Sequence, residues 1–145
     1  MKTWQLLGYL GLIPFIVFLC LFNHTTQYLT VTPQQAFVFY SVTILSFLAG
    51  ALWRKDNKLS SRKFQIISNG FCLYAFACLL FPVYIAILLL SLGYLLILST
   101  ECLLLQQHEK SPKQTEGYPK EYLTMRLNLT LLVSSLHLLA FIILL

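Results

Sequence analysis

Thr32-Pro33-Gln34-Gln35 opens a stretch that continues as an apolar run over 36–53 and ends in Arg54-Lys55-Asp56-Asn57-Lys58-Leu59-Ser60-Ser61-Arg62-Lys63. Thr and Pro in that order start a helix. The Thr side chain caps the first amides, and Pro at the first helical position has no N–H to lose. The run is long enough to cross a bilayer, and Trp53 suits its edge. An apolar helix that runs straight into five cations sets which end of the chain's bundle faces the cytoplasm.

Composition supports that reading. Of the 145 residues, 58% are hydrophobic and 10% are charged, with mean hydropathy +0.75. A soluble domain is about 45–50% apolar and about 25% charged. The length implies one domain, residues 1–145. The net charge of +5 does not point to nucleic acid, because the cations lie in loops beside apolar runs, where they orient the chain and meet lipid headgroups. The expected partners are the lipid bilayer and other membrane proteins or a second copy of the chain.

Outward from the opening stretch, the sequence predicts an all-α membrane protein with five transmembrane helices, over about 4–22, 34–53, 64–81, 83–105 and 122–145. The first follows Met1-Lys2 and is about 19 residues long without an Ala-x-Ala site. It reads as an uncleaved span, not a signal peptide. Gly8 and Gly11 share a face there, and Pro14 is expected to kink the helix. Residues 23–31 form an outer loop with a sequon at Asn23-His24-Thr25, and Phe81-Pro82 makes a tight turn between helices three and four. Residues 106–121 form a second polar loop. With five helices, all ten Lys and Arg residues fall on one side, so the N-terminus is cytoplasmic and the C-terminus is outside. The absence of an Arg-rich leader favours a bacterial inner membrane, with the mitochondrial inner membrane as the alternative.

Polar residues inside the runs are the candidate functional groups. Glu101 and Arg126 lie about one turn inside the same end of helices four and five, so an intramembrane ion pair is expected. Gln65, Asn69 and Cys72 form one stripe on helix three. Thr124, Asn128 and Ser135 form another on helix five, next to Thr130, Ser134 and His137. The two helix-five stripes are expected to make one broad face that points into the bundle. A polar cleft between helices three and five, lined by Gln65, Asn69, Asn128 and Ser135, follows as an alternative to packing glue. Ser46 and Gly50 are four apart and offer a small-residue face for close helix contact, as Gly8 and Gly11 do.

Catalytic and metal-binding patterns are not found. No His sits at zinc spacing from the four cysteines, which read as small hydrophobes; a Cys20–Cys78 disulfide is the alternative. Asp56, the only Asp, lies in the basic loop, so Ser, His and Asp are not expected to assemble into a nucleophilic set. No cofactor is expected. The leading function is a non-enzymatic structural or assembly role. The alternatives are a small-molecule or lipid binder or transporter using the cleft, and an intramembrane enzyme built on Glu101 or His137.

Three stretches carry a family resemblance: Leu7-Gly8-Tyr9-Leu10-Gly11-Leu12-Ile13-Pro14-Phe15, residues 40–53 (Tyr40 through Trp53), and residues 118–130 (Tyr118 through Thr130). They resemble a small multi-pass membrane family catalogued only as a domain of unknown function, which includes bacterial inner-membrane proteins and the mitochondrial transmembrane protein sixty-nine. The resemblance implies several membrane helices, inner-membrane residence and no assigned activity. Its pattern carries over to Gly11, Pro14, Tyr40, Ser46, Gly50, Trp53, Pro119, Arg126 and Thr130. Leu52 departs from it, because members tend to have His there, and that weakens any proton relay through helix two.

Overall fold

The computed structural model describes residues 3–23, 30–52, 62–109 and 120–145. The sequon after Asn23, Trp53, most of the basic loop, and residues 110–119 of the second polar loop, Pro119 among them, lie outside the described residues; residues 106–109 and 120–121, expected in that loop, are helical. Every regular element among the described residues is a helix, with no strand among them: α1 (Thr3–Leu10), α2 (Ile13–Cys20), α3 (Pro33–Ala51), α4 (Arg62–Cys78), α5 (Val83–Glu109) and α6 (Lys120–Leu144). Three segments are long and apolar enough to cross a membrane: Pro33–Ala51, Val83–Leu103 and Tyr122–Leu144. Gly8–Cys20 and Gln65–Cys78 are shorter apolar helices.

The first apolar run is broken where a single kinked helix was expected. α1 ends at Leu10, and α2 restarts with Pro14 in its first turn. Pro14 cannot donate to the carbonyl four residues back, and its ring crowds that carbonyl. The chain turns over Gly11-Leu12, with the Leu12 amide donating to the Tyr9 carbonyl at 3.0 Å. The Gly11 carbonyl accepts from the Tyr40 hydroxyl at 2.9 Å. The break is thus held from α3.

α3 starts as its sequence dictates. Thr32 Oγ1 accepts from the Gln35 amide at 3.3 Å, and Gln35 Oε1 accepts from the Thr32 amide at 3.1 Å, a reciprocal cap. The Gln34 side-chain amide donates to the Phe22 carbonyl at 2.7 Å, fastening the start of α3 to the end of the first run. α4 stops at Cys78, and the chain reverses over residues 79–82, where Pro82 starts α5 by accepting from Ala86 at 2.9 Å. The hairpin closes tightly: the Tyr74 hydroxyl donates to the Leu89 carbonyl at 2.6 Å.

Side-chain contacts fix the directions. Phe15 meets Tyr40 and Phe22 meets Phe37, so α2 and α3 are antiparallel. Ser68 Oγ donates to the Ala49 carbonyl at 2.7 Å and Cys72 Sγ to the Ser46 carbonyl at 3.9 Å, so α3 and α4 are antiparallel too. Gly8 lies against Met125 and Leu129 while Phe15 reaches His137, so the first run is parallel to α6. α3 is the hub and packs on α2, α4 and α5, while α6 packs on α5, α2 and α1. The core holds Phe15, Phe37, Leu45, Ile87, Leu90 and Tyr94. The outside is apolar as well, with Leu80, Phe47 and Leu73 largely exposed. An apolar exterior over apolar helices is the pattern of a protein whose solvent is lipid.

The glycines that matter for packing only partly match those the spacing singles out. A Cβ on Gly8 would meet Leu129 Cδ1 at 2.9 Å, so Gly8 does serve a close contact. Gly50 has nothing within 4 Å. Gly93, which sequence spacing does not mark, is buried, and a Cβ there would stand 2.9 Å from both Leu45 Cδ2 and Tyr74 Cε1. Leu45 is fully buried and Tyr74 is held by its bond to Leu89, so neither yields easily. Gly93→Ala is expected to destabilise the bundle by about 1–3 kcal/mol. Gly50→Ala should be neutral or stabilising by up to about 1 kcal/mol, since a helix interior prefers Ala. Reversible unfolding in mixed micelles measures both.

Candidate functional site

One face of α6 is polar and buried. Arg126, Thr130, Ser134 and His137 follow at spacings of four, four and three, and all four lie inside the bundle. They span about 16 Å along the axis. Opposite them stand Glu101 and Tyr94 on α5 and Ser41 on α3. The expected broad polar face is thus split in two. Thr124, Asn128 and Ser135 are exposed on the outer side of α6. Residues 128 and 130 are two apart, or about 200° around a helix, so one faces outward when the other faces in.

At one end of this column Arg126 Nε donates to Glu101 Oε2 at 2.9 Å, and a terminal guanidinium nitrogen donates to Glu101 Oε1 at 3.2 Å. The two side chains are 9% and 14% exposed. The fork-to-fork geometry satisfies both carboxylate oxygens and joins α5 to α6.

At the other end His137 is fully buried, with Phe15, Phe37 and Tyr94 rings around it at centroid distances of 5.5, 4.9 and 5.4 Å. His137 Nδ1 lies 2.8 Å from the Val133 carbonyl oxygen. That oxygen can only accept, so Nδ1 carries the proton and donates. In the neutral ring Nε2 then accepts from the Ser41 hydroxyl, 2.7 Å away. The Tyr94 hydroxyl donates to the Ser41 carbonyl at 2.9 Å.

The sequence offers no set of Ser, His and Asp; the structure brings Ser41 and His137 together, with the Val133 carbonyl on the other ring nitrogen where a triad has a carboxylate. A hydroxyl, an imidazole and a group that orients the imidazole are together, as nucleophile chemistry needs. Ser41 and His137 are both 0% exposed, however. A reacting carbonyl would have to replace the aromatic wall to approach the Ser41 oxygen. The chemistry visible here is cohesion of α3, α5 and α6. Between the two ends, Ser134 Oγ is buried with no hydrogen-bond partner among the described residues.

Ser41 and Tyr94 escaped the sequence reading. Spacing alone does not mark them. Phe37, Ser41, Leu45 and Ala49 recur every four residues and are buried, but Phe39, Thr43 and Phe47 recur in the same way on the same helix and are exposed.

The expected cleft between the third and fifth predicted helices does not form. α4 packs on α3 and α5, whereas α6 packs on α5 and the first run. Gln65 and Asn69 are exposed, and the buried polar residue of α4 is their neighbour Ser68. Asn128 and Ser135 instead border an open groove with Tyr9, Leu131 and Leu132. Ser46 is half-buried beside α4, and Gly50 faces open space. Gly11 contributes its carbonyl to Tyr40, and Pro14 sets the helix break. The four cysteines are free, with Cys20 exposed and Cys78 buried, so the alternative disulfide is absent. No group of three His, Cys, Asp or Glu side chains that could hold a metal occurs among the described residues.

The ion pair generates a prediction. Glu101→Leu or Arg126→Leu alone leaves a buried charge and is expected to cost about 3–5 kcal/mol, whereas the double replacement should recover most of the loss. A double-mutant unfolding cycle reads the difference. A double variant no better than the singles would show that the pair is not the coupled unit.

No curated protein matches the chain, and no solved structure does. A family model described as a protein of unknown function, DUF3429, matches residues 1–142. The match takes in all three stretches that carry the sequence resemblance, and the apolar helical bundle is of the kind that resemblance implies. The chain therefore belongs to the DUF3429 family.

Proposed function

We propose that this protein is a non-enzymatic component of the bacterial inner membrane that works by packing against another membrane protein. In this reading it crosses the bilayer five times, with the N-terminus in the cytoplasm and the C-terminus outside. α1 and α2 together make the first crossing. The alternating helix directions and the one-sided Lys and Arg residues support that topology. A mitochondrial inner membrane is the alternative location.

The observation that carries the reading is a contrast between two kinds of outward polar group. Outward hydroxyls bond back to their own helices: Thr43 to the Phe39 carbonyl, Ser99 to Leu95 and Thr100 to Leu96, at 2.8–2.9 Å. The side-chain amides of Gln65 and Asn69 are exposed, with no such bond. An amide has two donors and an acceptor, too many for one turn of helix to satisfy. In lipid each unmet group is costly.

Those amides share a face with Gly50. Ser68 and Ala49 touch across the α3–α4 contact. Because the two helices are antiparallel, the next residues, Asn69 and Gly50, rotate off that contact to the same side. α5 occupies the other side, where Gly93 meets Leu45. The outer face therefore combines a backbone open to close approach with amides that need partners, the combination that joins membrane helices.

Gly50→Leu should abolish association and leave the fold intact. Native mass spectrometry of protein extracted gently from its own membrane is expected to show a subunit at fixed stoichiometry that the variant lacks. If the complexed state is unchanged, this face is not the interface. For topology, alkaline phosphatase fused after Leu145 should be active and green fluorescent protein there dark, with the reverse after Asn57. A fluorescent C-terminal fusion would refute the orientation.

A further inference from the structure

The groove on the opposite side of the bundle is unused by the reading above. It has a volume of about 490 Å³ and lies between α1 and α6, lined by Tyr9, Asn128, Leu131, Leu132 and Ser135. Gly8 creates it. Without a side chain there, α1 lies directly on Leu129 and Met125, which brings Tyr9 beside Asn128.

The polar equipment of the groove is selective. The Ser135 hydroxyl is committed to the Leu132 carbonyl at 2.8 Å. The Tyr9 hydroxyl and the Asn128 amide have no hydrogen bond among the described residues, and both residues are exposed. The walls beside them, Leu131 and Leu132, are apolar and exposed. The groove thus offers unspent donors at one end and hydrocarbon along the rest.

Depth narrows the occupant. Asn128 lies six residues past Tyr122, the start of its apolar segment, or about 9 Å along the axis. Side chains on a helix lean toward its N-terminus. α1 and α6 are parallel, so Tyr9 and Asn128 both lean toward the end of the bundle that carries Glu101 and Arg126. That brings their donors toward the bilayer interface, where the ester oxygens of phospholipids lie. Ester carbonyls only accept, which matches donors left free.

We propose that this groove binds one phospholipid, with Tyr9 and Asn128 donating to its glycerol-ester oxygens and an acyl chain lying along Leu131 and Leu132. The proposal rests on the chain lying in a bilayer but not on its having a protein partner. It assigns Asn128 to lipid and leaves Asn69 to the protein face.

The test uses the full chain in nanodiscs of phosphatidylethanolamine and phosphatidylglycerol, doped with a phosphatidylethanolamine that carries a photoactivatable diazirine on one acyl chain. Adducts should concentrate on residues 127–136. In the Tyr9→Phe, Asn128→Leu double variant that labelling should fall by on the order of fivefold to tenfold, as expected for losing two membrane hydrogen bonds. Labelling on other outward faces should not change. Both positions are exposed, so circular dichroism should report an unchanged fold. Tyr9→Phe alone, which keeps the ring, should lower the labelling about two- to threefold. Equal labelling of all outward faces, or no change in the variants, overturns the groove while leaving the bilayer reading intact. Also overturning is a wild-type dimer that Asn128→Leu converts to monomer, since the face would then belong to a second copy.

Discussion

The hydrogen bond from the Ser41 hydroxyl to His137 Nε2 is the contact on which the arrangement of the other helices depends. Ser41 belongs to the hub helix and His137 to the last helix, and the Tyr94 hydroxyl donates to the Ser41 carbonyl from the helix between them. Three helices are thereby registered at one level. A hydrogen bond between membrane helices stabilises by only about 0.6 kcal/mol on average. Its larger effect is on alternatives. Sliding α6 by one residue would leave the His137 Nε2 unpaired among Phe15, Phe37 and Tyr94. The cost of unmet polar groups in a dry core exceeds the gain from making them.

The same constraint extends to the rest of the bundle. Tyr40, Tyr74, Tyr94, Gln34 and Ser68 each send a side-chain donor to a backbone carbonyl of a neighbouring segment. Such ties cross-link helices where lipid offers no hydrophobic drive to bring them together. The bidentate Glu101–Arg126 pair does this at the charged end of the column. Ser41, His137, Glu101 and Arg126, the side chains that could carry chemistry, all take part in these ties.

The outer surface follows a related rule. Outward Ser and Thr hydroxyls such as Thr43, Ser99 and Ser135 close onto their own helix, whereas the Gln65, Asn69 and Asn128 amides and the Tyr9 phenol do not. Gln65 and Asn69 stand beside Gly50 on one face, and Asn128 stands with Tyr9 in a groove on another. These are the outward polar groups that the molecule does not satisfy internally, and the proposed helix partner and lipid are readings of those two faces.

Much was legible in the sequence alone. The apolar runs, the Thr32-Pro33 helix start and the reversal before Pro82 are local. They follow from hydropathy, capping and the geometry of Pro, which act within a few residues. Glu101 and Arg126 could be paired because depth along a helix is counted directly from the chain. The rest depended on rotation about the helix axes, which in a chain apolar on all sides leaves almost no amphipathic pattern to read. Rotation sent Ser41 inward and Asn69 outward, opened Gly50, buried Gly93 and separated α4 from α6. Only the tertiary structure decided those, because which face of an apolar helix turns inward is set by its neighbours and not by its own residues.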